Sequence, residues 1–80
     1  MSVFESKIEK LGNRQRKVLA ALSRHGQWDG TGWVWENHST TLTVLRSLER
    51  RGMVERYGAD QRFIPSRDAQ VYFTGSYTVR

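Results

Sequence analysis

Ser39, Thr40, Thr43, Arg46, Ser47 and Arg50 follow one another at intervals of one or three residues. On a helix turning 100° per residue they fall on one side, while Leu42, Val44, Leu45 and Leu48 cluster around Leu45 on the other. A rod with an apolar back and a front of short hydroxyls and guanidiniums has a specific chemical use. Hydroxyls of this length hydrogen-bond base edges or phosphate oxygens at close range, and an arginine fork suits either a base edge or a phosphate. Thr40, Thr43 and Ser47 are therefore the expected groove contacts, and Arg46 and Arg50 the expected base or phosphate contacts. His38 and Ser39 flank them at the start of the helix. The competing explanation is an ordinary solvated face, with an arginine paired near Glu49.

The rest of the chain supplies further cations. Arg14, Arg16 and Lys17 open an earlier helical stretch and are expected at a phosphate backbone. Arg56 and Arg62 lie on the two arms of an expected hairpin. Across 80 residues, 13 Lys and Arg against 8 Asp and Glu leave a net charge of +5, which favours a polyanionic partner. There is no cysteine, so neither a disulfide framework nor a thiolate-bound zinc is expected. His25 and His38 have no metal-type spacing. No phosphate loop, nucleophile motif or carboxylate pair stands out, so no enzyme activity, cofactor or small-molecule ligand is expected. The first ten residues mix acids and bases without an apolar run, which argues against a signal peptide or membrane span and for a cytoplasmic protein.

These residues need elements to hold them. Phe4, Ile8 and Leu11 are spaced as a short N-terminal helix, with Phe4 and Ile8 available for a dimer contact or for the core. Gly12-Asn13 breaks the pattern, and Asn13 is the expected cap of a helix over residues 14–24 with Val18, Leu19 and Leu22 inward. Gly26 sits where a left-handed residue ends it. Residues 27–32 read as a loop with a short strand around Trp28. Residues 33–37 read as one helical turn capped by Thr31. The polar-fronted helix follows over about residues 39–51 and ends at Gly52. Residues 54–56 and 63–64 flank a turn at Gly58-Ala59-Asp60-Gln61. Residues 70–73 and 77–79, around Thr74-Gly75-Ser76, read as a second strand pair, and either loop would serve as the protruding one.

Residues 40–58, TTLTVLRSLERRGMVERYG, resemble the recognition helix and wing start of MarR-like and related bacterial regulators. The match is closest in Leu48-Glu49-Arg50-Arg51-Gly52-Met53-Val54-Glu55-Arg56, where the glycine turns the chain and the apolar pair starts a strand. RQRKVLAAL, residues 14–22, resembles the helix that opens such domains. The resemblance covers residues 13–64 and implies an α+β winged helix-turn-helix: three helices, a C-terminal β-hairpin wing and an extra short N-terminal helix. On this division residues 1–12 are a helical extension, 13–52 the helical core, and 53–80 the wing and C-terminal strands. It implies sequence-specific binding of double-stranded DNA by a small transcriptional regulator, acting as a homodimer or cooperatively. Two departures stand out. TGWVWENHS is short and aromatic where a longer second helix is usual, and the long dimerisation helices of MarR-like proteins are missing. Free-standing domains of this size resemble the accessory regulators of bacteriophages and mobile elements.

Two other functions fit the same residues. The Trp33-Val34-Trp35 stretch would suit a winged helix that binds another protein, such as a host factor. Trp33 and Trp35 could also stack on single-stranded bases, although a small domain more often needs such side chains in its core.

Overall fold

The computed structural model describes residues 3–77. Its elements run α1 (Val3–Glu9), α2 (Asn13–His25), α3 (His38–Arg50), β1 (Val54–Tyr57), β2 (Arg62–Pro65) and α4 (Arg67–Thr74). Among the described residues this makes a small α+β domain of four helices and one antiparallel two-stranded hairpin.

The central helix, α2, exists because Val18, Leu19, Leu22 and the small Ser23 recur at helical spacing and are all buried. Its cap is Gly12 rather than the expected Asn13, which lies inside the first turn. Gln15 takes over part of the capping, its Oε1 accepting from the Gly12 N–H at 3.1 Å. At the far end Gly26 adopts φ 89° and donates its N–H to the Leu22 carbonyl at 2.7 Å, as a left-handed C-terminal residue does.

Helix α3 packs beside α2 through Thr41, Val44, Leu45 and Leu48. It begins one residue earlier than its polar pattern suggests, because Asn37 caps it: Asn37 Oδ1 accepts from the Thr40 N–H at 2.8 Å. After Arg50, Gly52 turns the chain at φ 78° and delivers Met53 and Val54 to the core, both 2% exposed. Burying each leucine of this layer stabilises the fold by about 1.5–3 kcal/mol relative to leaving it in water.

The hairpin pairs Val54 with Pro65, Glu55 with Ile64, Arg56 with Phe63 and Tyr57 with Arg62. The expected turn at residues 58–61 joins the strands. Trp28 meets β2 in an isolated antiparallel bridge, exchanging two backbone hydrogen bonds with Phe63 at 2.8 and 2.9 Å.

Two expected elements are replaced. Residues 33–37 are not a helical turn but an irregular segment, and Thr31 caps nothing; its N–H and hydroxyl both donate to Asp29 Oδ1. The expected second strand pair is instead α4. Ser66 Oγ accepts from the Ala69 N–H at 3.3 Å, Asp68 sits in the first turn, and Gly75 at φ 78° closes the helix. Of the second expected arm, residues 77–79, Tyr77 lies in no strand and Thr78 and Val79 lie outside the described residues. Helix α4 packs on α2 through Ala69 and Gln70. Ile8 of α1 is 2% exposed and belongs to the core, so of the two residues expected at a dimer contact only Phe4 remains partly accessible.

Candidate nucleic-acid interface

The outer side of α3 carries Ser39, Thr43, Arg46 and Arg50, all exposed. Their spacing of four, three and four residues aligns them in a single stripe along the helix. The guanidiniums of Arg46 and Arg50 have no hydrogen-bond or ion-pair partner among the described residues. Behind the stripe, Val44, Leu45 and Leu48 are buried in the core.

Thr40 and Ser47 lie on the flank that faces α2 and are only half exposed. Ser47 Oγ donates to the Val44 carbonyl at 2.7 Å and accepts from Gln15 Nε2 at 2.9 Å, so its hydroxyl is engaged within the protein. Arg14, at the start of α2, reaches the same flank and lines a small cleft of about 200 Å³ with Ser39, Thr40 and Thr43. Its Nη2 lies 3.4 Å from Glu36 Oε1, an exposed pair that solvent screens. His38 is exposed at the helix start, its ring 5.0 Å from that of Trp28.

The other expected contacts separate. Arg16 turns toward α1, where its Nη2 donates to the Ile8 carbonyl at 3.4 Å. Lys17 lies on a different side of α2, with Nζ 5.6 Å from the centre of the Trp35 ring. The two hairpin arginines are tied to acids. Arg56 Nε donates to Glu49 Oε2 at 3.1 Å, its Nη1 donates to the Gln61 carbonyl, and its guanidinium lies 3.7 Å from the centre of the Phe63 ring. Arg62 Nε donates to Asp60 Oδ1 at 3.1 Å and its Nη1 to Gln27 Oε1 at 2.6 Å.

Two features escape a reading of the sequence. Lys7, Lys10 and Arg51 converge around Met53 as a second basic cluster, although more than 40 residues separate Arg51 from Lys10. Thr41, a third threonine in a threonine-rich run, is fully buried. Its hydroxyl accepts from the Trp35 N–H at 2.8 Å and lies within hydrogen-bond reach of the Trp35 and Asn37 carbonyls, at 3.0 and 2.8 Å. It pins the segment that leads into α3. The same loop region holds the carboxyl of Asp29 below its ordinary range, chiefly through the Thr31 hydroxyl and then the Thr31 backbone N–H.

Among the described residues no group of His, Cys, Asp and Glu side chains is arranged to hold a metal ion, and no helix is long and apolar enough to cross a membrane. Comparison of the chain with protein families, with curated proteins and with solved structures gave no match.

Proposed function

We propose that the chain is a winged helix that binds double-stranded DNA as a small regulator, with α3 in the major groove and the β1–β2 hairpin against the adjacent backbone. The observation that carries this reading is the exposed stripe Ser39–Thr43–Arg46–Arg50, in which two guanidiniums remain unpaired in a protein that neutralises its hairpin arginines with its own acids. Hydroxyls and free guanidiniums on one face of a helix of this length match the groove chemistry of base edges and phosphates. The order α2, Trp28 bridge, α3, hairpin supports the same fold, with the segment over residues 33–37 standing where a second helix is usual.

In this arrangement Ser39 and Thr43 meet base edges, and Arg46 and Arg50 meet base or phosphate. Arg14 approaches the backbone beside the α3 entry. The hairpin contributes less than its composition suggests, since Arg56 and Arg62 already have carboxylate partners. With about three to five phosphates neutralised per copy, the log–log dependence of affinity on salt has a slope of roughly −3 to −4.5. One such domain binds weakly at physiological salt, so tight binding needs two copies on two half-sites or cooperative assembly along the duplex.

Titration of labelled random duplex across a range of salt concentrations tests the reading. Salt-sensitive binding is expected, with Arg46→Ala and Arg50→Ala each flattening the slope by about 1. Duplex binding that neither substitution changes, or no binding at low salt, removes it.

A further inference from the structure

A second surface of the molecule has a different chemistry. Between the outer face of α2 and residues 33–35 runs a groove of about 460 Å³. Its floor is Ala20 and Ala21, whose small side chains leave depth, and its far wall is Trp33, Val34 and Trp35. Val34 is 47% exposed. The charged groups on its rim are Lys17 and Arg24, with the imidazole of His25 beside them, and no carboxylate lines it.

The wall is built rather than incidental. Trp33 Nε1 donates to the Gln27 carbonyl at 3.1 Å, the Trp33 carbonyl accepts from Trp28 Nε1 at 2.8 Å, and the Trp33 ring stacks on His25 with centroids 4.9 Å apart. Trp35 is anchored at its backbone by Thr41. The segment also carries local costs. Trp35 Nε1 is buried with no acceptor among the described residues, and Glu36 holds a left-handed φ of 66° that a residue with a Cβ rarely adopts. Costs of this kind persist where the surrounding structure over-determines them, and they cluster at binding sites.

We propose that this groove docks an acidic peptide segment of another protein, anchored by apolar side chains against Val34, Trp35 and the alanine floor. Its carboxylates pair with Lys17 and Arg24. Charge complementarity sets the sign of the partner: a rim of cations without acids favours carboxylates and repels basic segments. The apolar floor and wall set its class. A phosphate backbone would satisfy the cations but offers nothing to cover Val34 and the alanines. Single-stranded bases need an open aromatic face, and here His25 covers one face of Trp33 while Lys17 lies against Trp35. The site is separate from the α3 stripe and does not depend on DNA binding.

The test is selection of displayed short random peptides on the immobilised full chain, followed by titration of a synthetic copy of the enriched sequence by tryptophan fluorescence. Enrichment of peptides combining Asp or Glu with Leu, Phe or Trp is expected. Arg24→Glu and Val34→Asp, both at exposed positions and checked for folding by circular dichroism, should each weaken the titrated peptide at least about tenfold. A variant carrying Arg46→Ala and Arg50→Ala should bind it as the wild type does. No enrichment over bare support, enrichment of peptides without acids, or binding that survives both groove substitutions overturns the proposal. So does binding of oligothymidine or duplex that is lost in the groove variants while no peptide is enriched, since the groove then belongs to nucleic acid.

Discussion

Arg56, on the first strand of the hairpin, donates to Glu49, in the last turn of α3, at 3.1 Å. The pair spans the Gly52 turn and ties the hairpin to the helix that it follows. It also removes from the hairpin much of the positive charge that a basic wing would present, and Arg62 with Asp60 does the same on the second strand.

The first prediction inverts the usual effect of deleting an arginine. Arg56→Ala should leave the salt slope of duplex binding nearly unchanged while lowering stability by about 1 kcal/mol, from the lost ion pair and the lost contact with Phe63. Glu49→Gln breaks the same pair but frees Arg56, so it should steepen the slope by about 1. Salt titrations and urea unfolding of the two variants check both halves. If Arg56→Ala flattens the slope as much as Arg50→Ala does, the pair opens on DNA and the hairpin is a basic wing after all.

A second prediction separates two hydroxyls that the sequence places on the same helix face. Ser47 bonds Gln15 and the Val44 carbonyl, whereas Thr43 faces outward on the stripe. Ser47→Ala leaves the part-buried Gln15 amide without its acceptor and should cost about 1–2 kcal/mol of stability. Its effect on DNA affinity, compared at equal folded fraction, should be small. Thr43→Ala should change stability by less than about 0.5 kcal/mol and weaken binding to a preferred duplex site. An unfolding curve and a binding isotherm for each variant decide it, and a reversal of the two effects would show that the groove face is rotated toward α2.

What the sequence reveals and conceals follows from where each signal resides. The helices α2 and α3 and the β1–β2 hairpin are legible because their apolar periods, glycine stops and turn residues are local. The strand expected over residues 70–73 fails because Val71, Tyr72 and Phe73 form a β-branched and aromatic run. The deciding signals stand outside that run, in Ser66 as cap and Gly75 as stop, and burial falls on Ala69 and Gln70. The turn expected over residues 33–37 fails for another reason: the Trp35 N–H and the Asn37 carbonyl both bond the Thr41 hydroxyl on α3, and no pattern within the segment encodes that partner. Of the expected site residues, those on α3 exposed by helical period alone were legible. The neutralisation of Arg56 by Glu49 and the divergence of Arg16 and Lys17 come from tertiary packing, whereas Arg62 pairs with Asp60 within the hairpin turn.

Thr41 supplies the third prediction. Thr41→Val preserves the shape of a fully buried side chain but removes the hydroxyl that accepts from the Trp35 N–H. It should cost about 1–3 kcal/mol, the penalty of a polar group left unpaired in a covered site. Thr41→Ser, which keeps the hydroxyl, should cost less. Amide exchange at Trp35 should quicken in the valine variant and not in the serine variant. Equal losses in the two would mean that the lost methyl packing, and not the hydrogen bond, holds the segment.

The last prediction concerns how two copies meet. Four of the six large apolar residues most exposed in the described structure, Val3, Val71, Tyr72 and Tyr77, belong to α1, α4 and the residues just after it. Val3, Val71 and Tyr72 line a groove of about 620 Å³ with Phe4, and the Phe4 and Tyr72 rings lie 6.0 Å apart. A two-fold contact sets each patch against itself, so a patch of one sign repels its copy. The α3 stripe and the α2 groove carry only cations, whereas this groove mixes Glu5 and Asp68 with Arg67. It is the face on which a chain of net charge +5 can self-associate without bringing like charges together. Sedimentation equilibrium should show concentration-dependent dimers without DNA. Tyr72→Glu should dissociate them, and Arg67→Glu, which makes the patch wholly acidic, should do so more strongly at low salt. Arg46→Ala should leave the association unchanged, because no residue of α3 lines this groove. A wild-type protein that stays monomeric over the whole accessible concentration range would leave cooperative assembly along the duplex as the route to tight binding.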